Sequence, residues 1–324
     1  MKLGFAVKIL GEELPTHDSR RWQSNPHLRW SIEALHGIFD FLERRDVRMY
    51  RMSPALAPYA THPDLPQFHG QVAECREELG ALGERADALG LRLSTHPGQY
   101  VVLNSERPDV QDAAVRDMEL QAELMDAMGL GREAVVVLHV GGAAGGHPAA
   151  LGRFERGFER LSARARERLV VENDDRTFPL GAVLDLHRRT GVKVVWDILH
   201  HHCNDPEGIP DREALELALA TWPAGVRPKI HYSTPKTALE ERRRKVGRRI
   251  ERSWALPQLR AHADMIDPIA FEQFLRETAA GLDFDVMLEA KGKDLALLRL
   301  REQLAERGVM FKTVDAATFA TSSI

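Results

Sequence analysis

Cysteine is nearly absent from this chain. Cys75 and Cys203 are the only two in 324 residues, too few and too far apart to form a disulfide framework. They suit a reducing cytoplasm, the expected location. Long apolar runs are missing too, and no stretch approaches the roughly 20 residues of a membrane span. The opening MKLGFAVKILG runs straight into Glu12 and Glu13, without the apolar length or cleavage site of a signal peptide, so the chain reads as mature from residue 1. Charge of one sign is not in excess either. With 44 basic and 48 acidic residues the formal charge is −4, which exerts no global pull on nucleic acid or acidic lipid and leaves only local patches to do so. No glycine-rich phosphate turn follows the first apolar run. The GGAAGG at 141–146 has no lysine and no strand–helix junction, and reads as a flexible loop.

What is present is a rhythm. Short apolar runs recur at 3–9, 47–52, 91–95, 134–140, 168–173, 192–197, 227–232 and 285–290, and between most of them lie segments with apolar residues three and four apart. Near-continuous apolar strands alternating with amphipathic helices predict a parallel (β/α)8 TIM barrel. An open doubly wound sheet fits less well, for want of the phosphate turn. No linker divides the chain, so residues 1–324 are expected to form one domain. Residues 234–268 are longer than an ordinary strand-to-helix loop and read as an insertion at the catalytic face.

The polar residues fall where the strands end. His96 closes the third run, His139 the fourth and Glu172 the fifth. Asp197 closes the sixth, with His200 three residues on; Lys229 and His231 share one side of the seventh, and Glu289 ends the eighth. The second run shows nothing polar at its very end, but its loop carries His62. In a barrel these ends meet at one mouth. Carboxylates crowded there would repel one another and be costly to desolvate, and divalent cations held by Asp, Glu and neutral His remove that cost. His17, His27, His36, His69, His147, His187, His201 and His202 read as packing or solvent residues. Two or three metals, spaced about 3.5–4 Å in paired sites, point to phosphate-ester hydrolysis. A sugar isomerase using divalent metal is the alternative, disfavoured because this mouth is rich in histidine. A metal-buffering or regulatory DNA-binding barrel is the non-enzymatic reading.

With HPGQY, LHVGG, ENDD, WDILHH, PKIHYS and LEAKGK in this order, the chain resembles the UV damage endonucleases, metal-dependent TIM barrels related in architecture to endonuclease IV and the xylose-isomerase-like enzymes. The resemblance runs from about residue 3 to 293. It implies incision of duplex DNA immediately 5′ to UV photoproducts, leaving a 3′-hydroxyl and a 5′-phosphate. It also implies a cluster of two to three divalent ions, manganese first, with magnesium, cobalt or zinc as alternatives. The ligands it implies are His62, His96, His139, Glu172, Asp197, His200, His231, His262 and Glu289. Glu172, Asp197 and Lys229 stand at the catalytic centre, and Lys229 matches a lysine that looks carboxylated. Gln99 and Tyr100 match a pair that probes damaged DNA from within the helix. At the N-terminus the chain departs from the family, with Phe5 and Ile9 where tyrosine and asparagine are expected. The basic segment RRRKVGRRIERS (242–253) is either a solvated helix face or a phosphate-binding surface, with Arg244, Lys245 and Arg248 as the contacts. The implied partner is UV-damaged duplex DNA, met at the nucleoid, with no membrane and no obligate protein partner.

Overall fold

The computed structural model describes residues 1–247 and 249–309. Ten strands run in chain order: β1 (Leu3–Ala6), β2 (Met49–Arg51), β3 (Arg92–Thr95), β4 (Val135–His139), β5 (Leu169–Glu172), β6 (Lys193–Val195), β7 (Lys229–Tyr232), β8 (Glu240–Val246), β9 (Arg249–Ala255) and β10 (Asp285–Leu288). Eight of them pair in parallel in the order β6-β5-β4-β3-β2-β1-β10-β7. The predicted barrel is there, and each predicted strand lies within its apolar run.

The barrel closes by one bridge. Asp197 pairs with His231 across the β6–β7 seam, and the His231 amide donates to the Trp196 carbonyl at 2.9 Å. Deeper in the seam the backbone groups of β6 have side-chain partners instead. The Val194 amide donates to Thr221 Oγ1 at 2.9 Å, and its carbonyl accepts from Trp222 Nε1 at 2.8 Å. Buried backbone groups need partners, and here two side chains complete the ladder.

Strand alternation sorts the core into two populations. Phe5, Tyr50, Leu93, Val136, Leu138, Val171, Trp196 and Ile230 belong to the large core between strands and helices. Val135, Val137, Val170 and Val195 form a separate buried group with Trp222 and Val226, and Ala6, Met49 and Met287 form another. These alternate residues fill the barrel lumen, so His139, Glu172, Asp197, His231 and Glu289, two places beyond lumen residues, point inward at the mouth. The enclosing helices follow the amphipathic pattern. Leu28–Arg44 buries Leu28, Ile32, Leu35, Phe39 and Leu42, and His27 Nδ1 caps it by accepting from the Arg29 amide.

Strand β7 is followed not by a helix but by the β8–β9 hairpin, which turns at Gly247 with φ +61°. The basic segment is therefore a two-stranded ribbon, which removes the helix-face reading of 242–253. Arg248 lies outside the described residues.

The other end of the lumen carries a buried ion pair. Arg92 Nη1 donates to Asp285 Oδ2 at 2.9 Å, and Asp285 also accepts from Arg227 Nε at 3.0 Å and the Lys2 amide at 2.6 Å. Replacing Asp285 by Ala strands the Arg92 guanidinium in the interior, a change that costs about 3–5 kcal/mol. We expect Asp285→Ala to melt at a clearly lower temperature while the far-ultraviolet circular dichroism of the folded fraction, measured well below the transition, is unchanged. Unchanged thermal stability would show that the pair does not hold this end of the barrel.

Candidate metal centre at the barrel mouth

Glu172 is the hub of the mouth. It is fully buried and ends β5, opposite His139 of β4. Its Oε2 lies 3.1 Å from His96 Nε2 and 3.7 Å from His139 Nε2, while its Oε1 lies 2.8 Å from His231 Nδ1 and 3.5 Å from His200 Nδ1. The imidazoles form an arc around it. Ring centroids are 6.1 Å apart from His231 to His96, 5.3 Å from His96 to His139, 5.7 Å from His139 to His200 and 5.7 Å from His200 to His262.

Two ligand groups share that carboxylate. Candidate donor atoms of His96, His139 and Glu172 lie within 4.8 Å of one another, and so do those of Glu172, Asp197, His231 and Glu289. The chemistry of the donors fits divalent cations on further grounds. His96 Nδ1 and His200 Nδ1 each lie 3.0 Å from a backbone carbonyl, of Pro97 and Asn173 respectively. A carbonyl only accepts, so each ring must donate from Nδ1, an outer hydrogen bond typical of metal-binding histidines. Buried polar atoms without a hydrogen bond among the described residues include Asp197 Oδ2, His139 Nδ1, His262 Nδ1 and Lys229 Nζ. Such atoms are costly unless something else satisfies them.

Asp197 has two tasks. Its Oδ1 caps the short helix Ile198–Cys203 by accepting from the His200 amide at 2.8 Å, which brings His200 over the mouth. Its Oδ2 remains for the centre. Asn173 clamps the strand end, donating through Nδ2 to the Asp197 carbonyl at 3.0 Å and accepting through Oδ1 from its amide at 2.8 Å.

His262 owes its place to the insertion. The segments on either side of the hairpin pair with each other: the Lys236 amide donates to the Ala261 carbonyl at 2.7 Å, and the Ala263 amide to the Thr234 carbonyl at 2.9 Å. This stalk sets His262 Nε2 4.0 Å from Glu289 Oε2. His62 is different. It is exposed in the loop after β2, where its Nδ1 accepts from the Asp64 amide at 3.2 Å, and it belongs to neither ligand group.

One member of the mouth escaped the sequence reading. The last residue of β2 is Arg51, buried, and its Nη2 donates to Glu289 Oε1 and lies 2.8 Å from His231 Nε2. The second strand thus does end in a polar group, a cation rather than a ligand. Its position two residues after the lumen-facing Met49 was the available signal.

The electrostatics follow from this crowding. Burial would raise Glu172, but His231 and His139 outweigh it and hold its carboxyl well below the usual range. Burial likewise opposes the ionisation of Glu289, which Arg51 and His231 keep strongly depressed. Asp197, packed in with those two carboxylates, is pushed up to about 7, chiefly by burial. Burial would lower His200, yet Asp197, Glu172 and Glu289 raise it to about 9. His231, fully enclosed, is lowered to about 4 by burial. Lys229 sits below the mouth on β7, fully buried; desolvation, then Arg51 and Arg92, push its ammonium well below the ordinary lysine value.

Beside the centre runs a cleft lined by His96, Gln99, Gly142, Asp174, Arg176 and His200. Gln99 is exposed at its rim, and the neighbouring Tyr100 is 68% exposed. The Tyr100 ring folds back over Gly98, where a Cβ would come within 2.5 Å of it, so a side chain at 98 would push the ring aside. Arg244 and Lys245 are exposed on β8, on the hairpin that rises from the stalk of His262.

Known proteins are similar to this chain over most of its length. The family model described as UV-endonuclease UvdE matches residues 28–318. The UV DNA damage endonuclease of Bacillus pumilus (strain SAFR-032) is 33% identical over 276 residues, covering 85% of this chain and 80% of that protein. That of Bacillus velezensis (strain DSM 23117 / BGSC 10A6 / LMG 26770 / FZB42) is 34% identical over 266 residues, covering 81% and 77%. The crystal structure of SacUVDE superposes with a TM-score of 0.80 at 28% identity, over 95% of this chain and 99% of that one. An AP endonuclease, family 2, from Brucella melitensis aligns over 94% of this chain and 98% of its own with a TM-score of 0.51 at 11% identity, a likeness of fold alone. The family match takes in every barrel strand except β1, and with them all the side chains that crowd the mouth: the chain belongs to the UV-endonuclease UvdE family.

Proposed function

We propose that this protein is a DNA repair endonuclease that incises duplex DNA immediately 5′ to UV photoproducts, leaving a 3′-hydroxyl and a 5′-phosphate, and works in the cytoplasm beside the nucleoid. The observation that carries the reading is Glu172, a fully buried carboxylate shared by two adjacent ligand groups, in a member of this family. His96, His139 and Glu172 would hold one divalent ion and Glu172, Asp197, His231 and Glu289 a second, with His200 and His262 available to a third. Manganese is the preferred ion. Bound there, such ions supply neutralisation of phosphate charge and acidification of water near neutral pH.

The chain's own residues do the rest. Arg51 keeps Glu289 ionised and aligned, and Asn173 fixes the backbone of Asp197. Lys229, buried and poor in protons, has an uncharged amine that can attack carbon dioxide; forming the N–C bond releases one proton and leaves a carbamate, an acid in place of a cation. Gln99 and Tyr100, on the rim of the cleft, occupy the space opened when a damaged step unstacks, and damage lowers the cost of that opening. Arg244, Lys245 and, on the sequence reading, Arg248 hold phosphates. The sugar-isomerase alternative is left with likeness of fold only.

The test is nicking of duplex containing a defined photoproduct, with manganese and a chelator control. We expect cutting of the damaged strand and none of the undamaged duplex; equal cutting of both would remove lesion specificity. Glu172→Ala and Asp197→Ala should lose incision by at least about a hundredfold, about 3 kcal/mol or more of barrier, while duplex binding persists. Wild-type rates in these variants would place the chemistry elsewhere.

The pH dependence has a defined sign. Asp197 near 7 and His200 near 9 both hold protons that an incoming cation must displace. Manganese affinity should therefore rise with pH, first through about 7 and then toward about 9, by up to about tenfold per pH unit for each proton released. Titration calorimetry across this range measures it, and a flat affinity would show that neither proton is displaced.

A further inference from the structure

The β8–β9 ribbon is exposed on both faces: residues 242–247 and 249–254 all lie open to solvent. Seven cross-strand pairs, from Glu240–Ala255 to Val246–Arg249, make it about 23 Å long at the ordinary rise per residue. A bare two-stranded ribbon is at best marginally stable in water, so its exposed faces call for a partner.

Those faces differ. Residues opposite one another across an antiparallel pair share a face. One face carries Glu241, Arg243, Lys245, Ile250, Arg252 and Trp254. On it Glu241 pairs with Arg243 at 2.8 Å and Arg252 at 3.3 Å, which leaves Ile250 and Trp254, 66% and 68% exposed, beside the exposed Lys245. The other face presents Arg242, Arg244 and Arg249, none in an ion pair among the described residues, together with Val246, Ser253 and a single carboxylate beyond the stalk end, Glu251 opposite Arg244. An aliphatic and an indole side chain set among cations, backed by further guanidinium groups, complement the inside of a DNA groove flanked by phosphates. The major groove is about 12 Å wide and admits a two-stranded ribbon. The stalk roots the ribbon at the mouth, next to His262, so whatever the ribbon holds lies beside the centre.

We infer that the ribbon lies in the major groove of the duplex flanking the incision site, with Ile250 and Trp254 against base edges and Arg242, Arg244 and Arg249 reaching round to the phosphates. This rests on the endonuclease reading and deepens it: the insertion contacts bases as well as backbone. Apolar contact with bases and ionic contact with phosphates differ in salt dependence, because only the latter releases counterions.

Binding of full-length protein to photoproduct duplex, titrated over a range of salt concentrations, separates the two. Ile250→Ala/Trp254→Ala should weaken binding about tenfold at every salt concentration and leave the slope of log K against log salt unchanged. Arg242→Ala/Arg244→Ala/Arg249→Ala should flatten the slope by about 0.9 for each phosphate that is no longer neutralised. Manganese content, measured on the same samples, checks that the variants keep the centre intact. Wild-type affinity in the apolar variant overturns the inference, and so does a weakening confined to low salt. It is also overturned if sedimentation finds a wild-type dimer that this variant dissolves without change in DNA affinity, because the face would then join two copies of the chain. Failure of the wild type to nick damaged duplex, scored in parallel, would count against the endonuclease reading while the binding data still judge the ribbon.

Discussion

A carboxylate with no access to water has to be neutralised by its neighbours, and Glu172 sets that requirement for the whole mouth. It is fully enclosed at the end of β5, with His96, His139, His231 and His200 all within 3.7 Å. Imidazoles alone are a poor answer, since burial drives protons off His231 even as it stands against the carboxylate. Arg51 supplies one fixed positive charge, but directs it at Glu289. Three carboxylates and one guanidinium leave an excess of negative charge that divalent cations would balance. Asp197 pushed up toward neutrality and His200 raised well above it are what such a site does without them: protons fill in for metal.

The barrel separates this strained region from its support. At the far end of the lumen the Arg92–Asp285 pair is fully enclosed and matched by hydrogen bonds to backbone and side chains, while valines occupy the space between. The mouth gathers three carboxylates with only partly satisfied neighbours: Asp197 Oδ2, His139 Nδ1, His262 Nδ1 and Lys229 Nζ are buried without hydrogen-bond partners among the described residues. Carboxylates and imidazoles crowded at the ends of the strands, above a valine-filled lumen and an enclosed ion pair, are the distribution expected when one end serves chemistry and the other stability. The insertion after β7 joins the two concerns of the mouth, since one stalk both presents His262 to Glu289 and raises the basic ribbon above it.

Much of the centre was legible in the sequence because side chains alternate along a strand. Once Val137, Val170 and Val195 are placed in the lumen, His139, Glu172 and Asp197 must face the same way two residues later, and no tertiary information is needed. The same rule applied to Met49 finds Arg51, which a search for metal ligands passes over because an arginine is not one. Spacing alone places His200 near the mouth, yet the agent that turns it inward is the cap formed by Asp197 Oδ1, a local bond that only coordinates display. The ribbon was illegible for a different reason. Its composition is so polar that neither a period of two nor one of 3.6 stands out, and the pairing of 240–246 with 249–255 emerges only from long-range register.

The order of strands and helices, the inward polar residue at the end of six of the eight barrel strands and the family were therefore determined by the sequence itself, because they depend on periodicities and short motifs that local sterics impose. The tertiary structure alone decided that Glu172 serves two ligand groups, that His262 joins the centre while His62 stays in solvent, and that the barrel seam closes through Asp197 and His231. Those are facts about distance between residues remote in sequence, and distance of that kind is set by packing and strand register, which no single stretch of chain encodes.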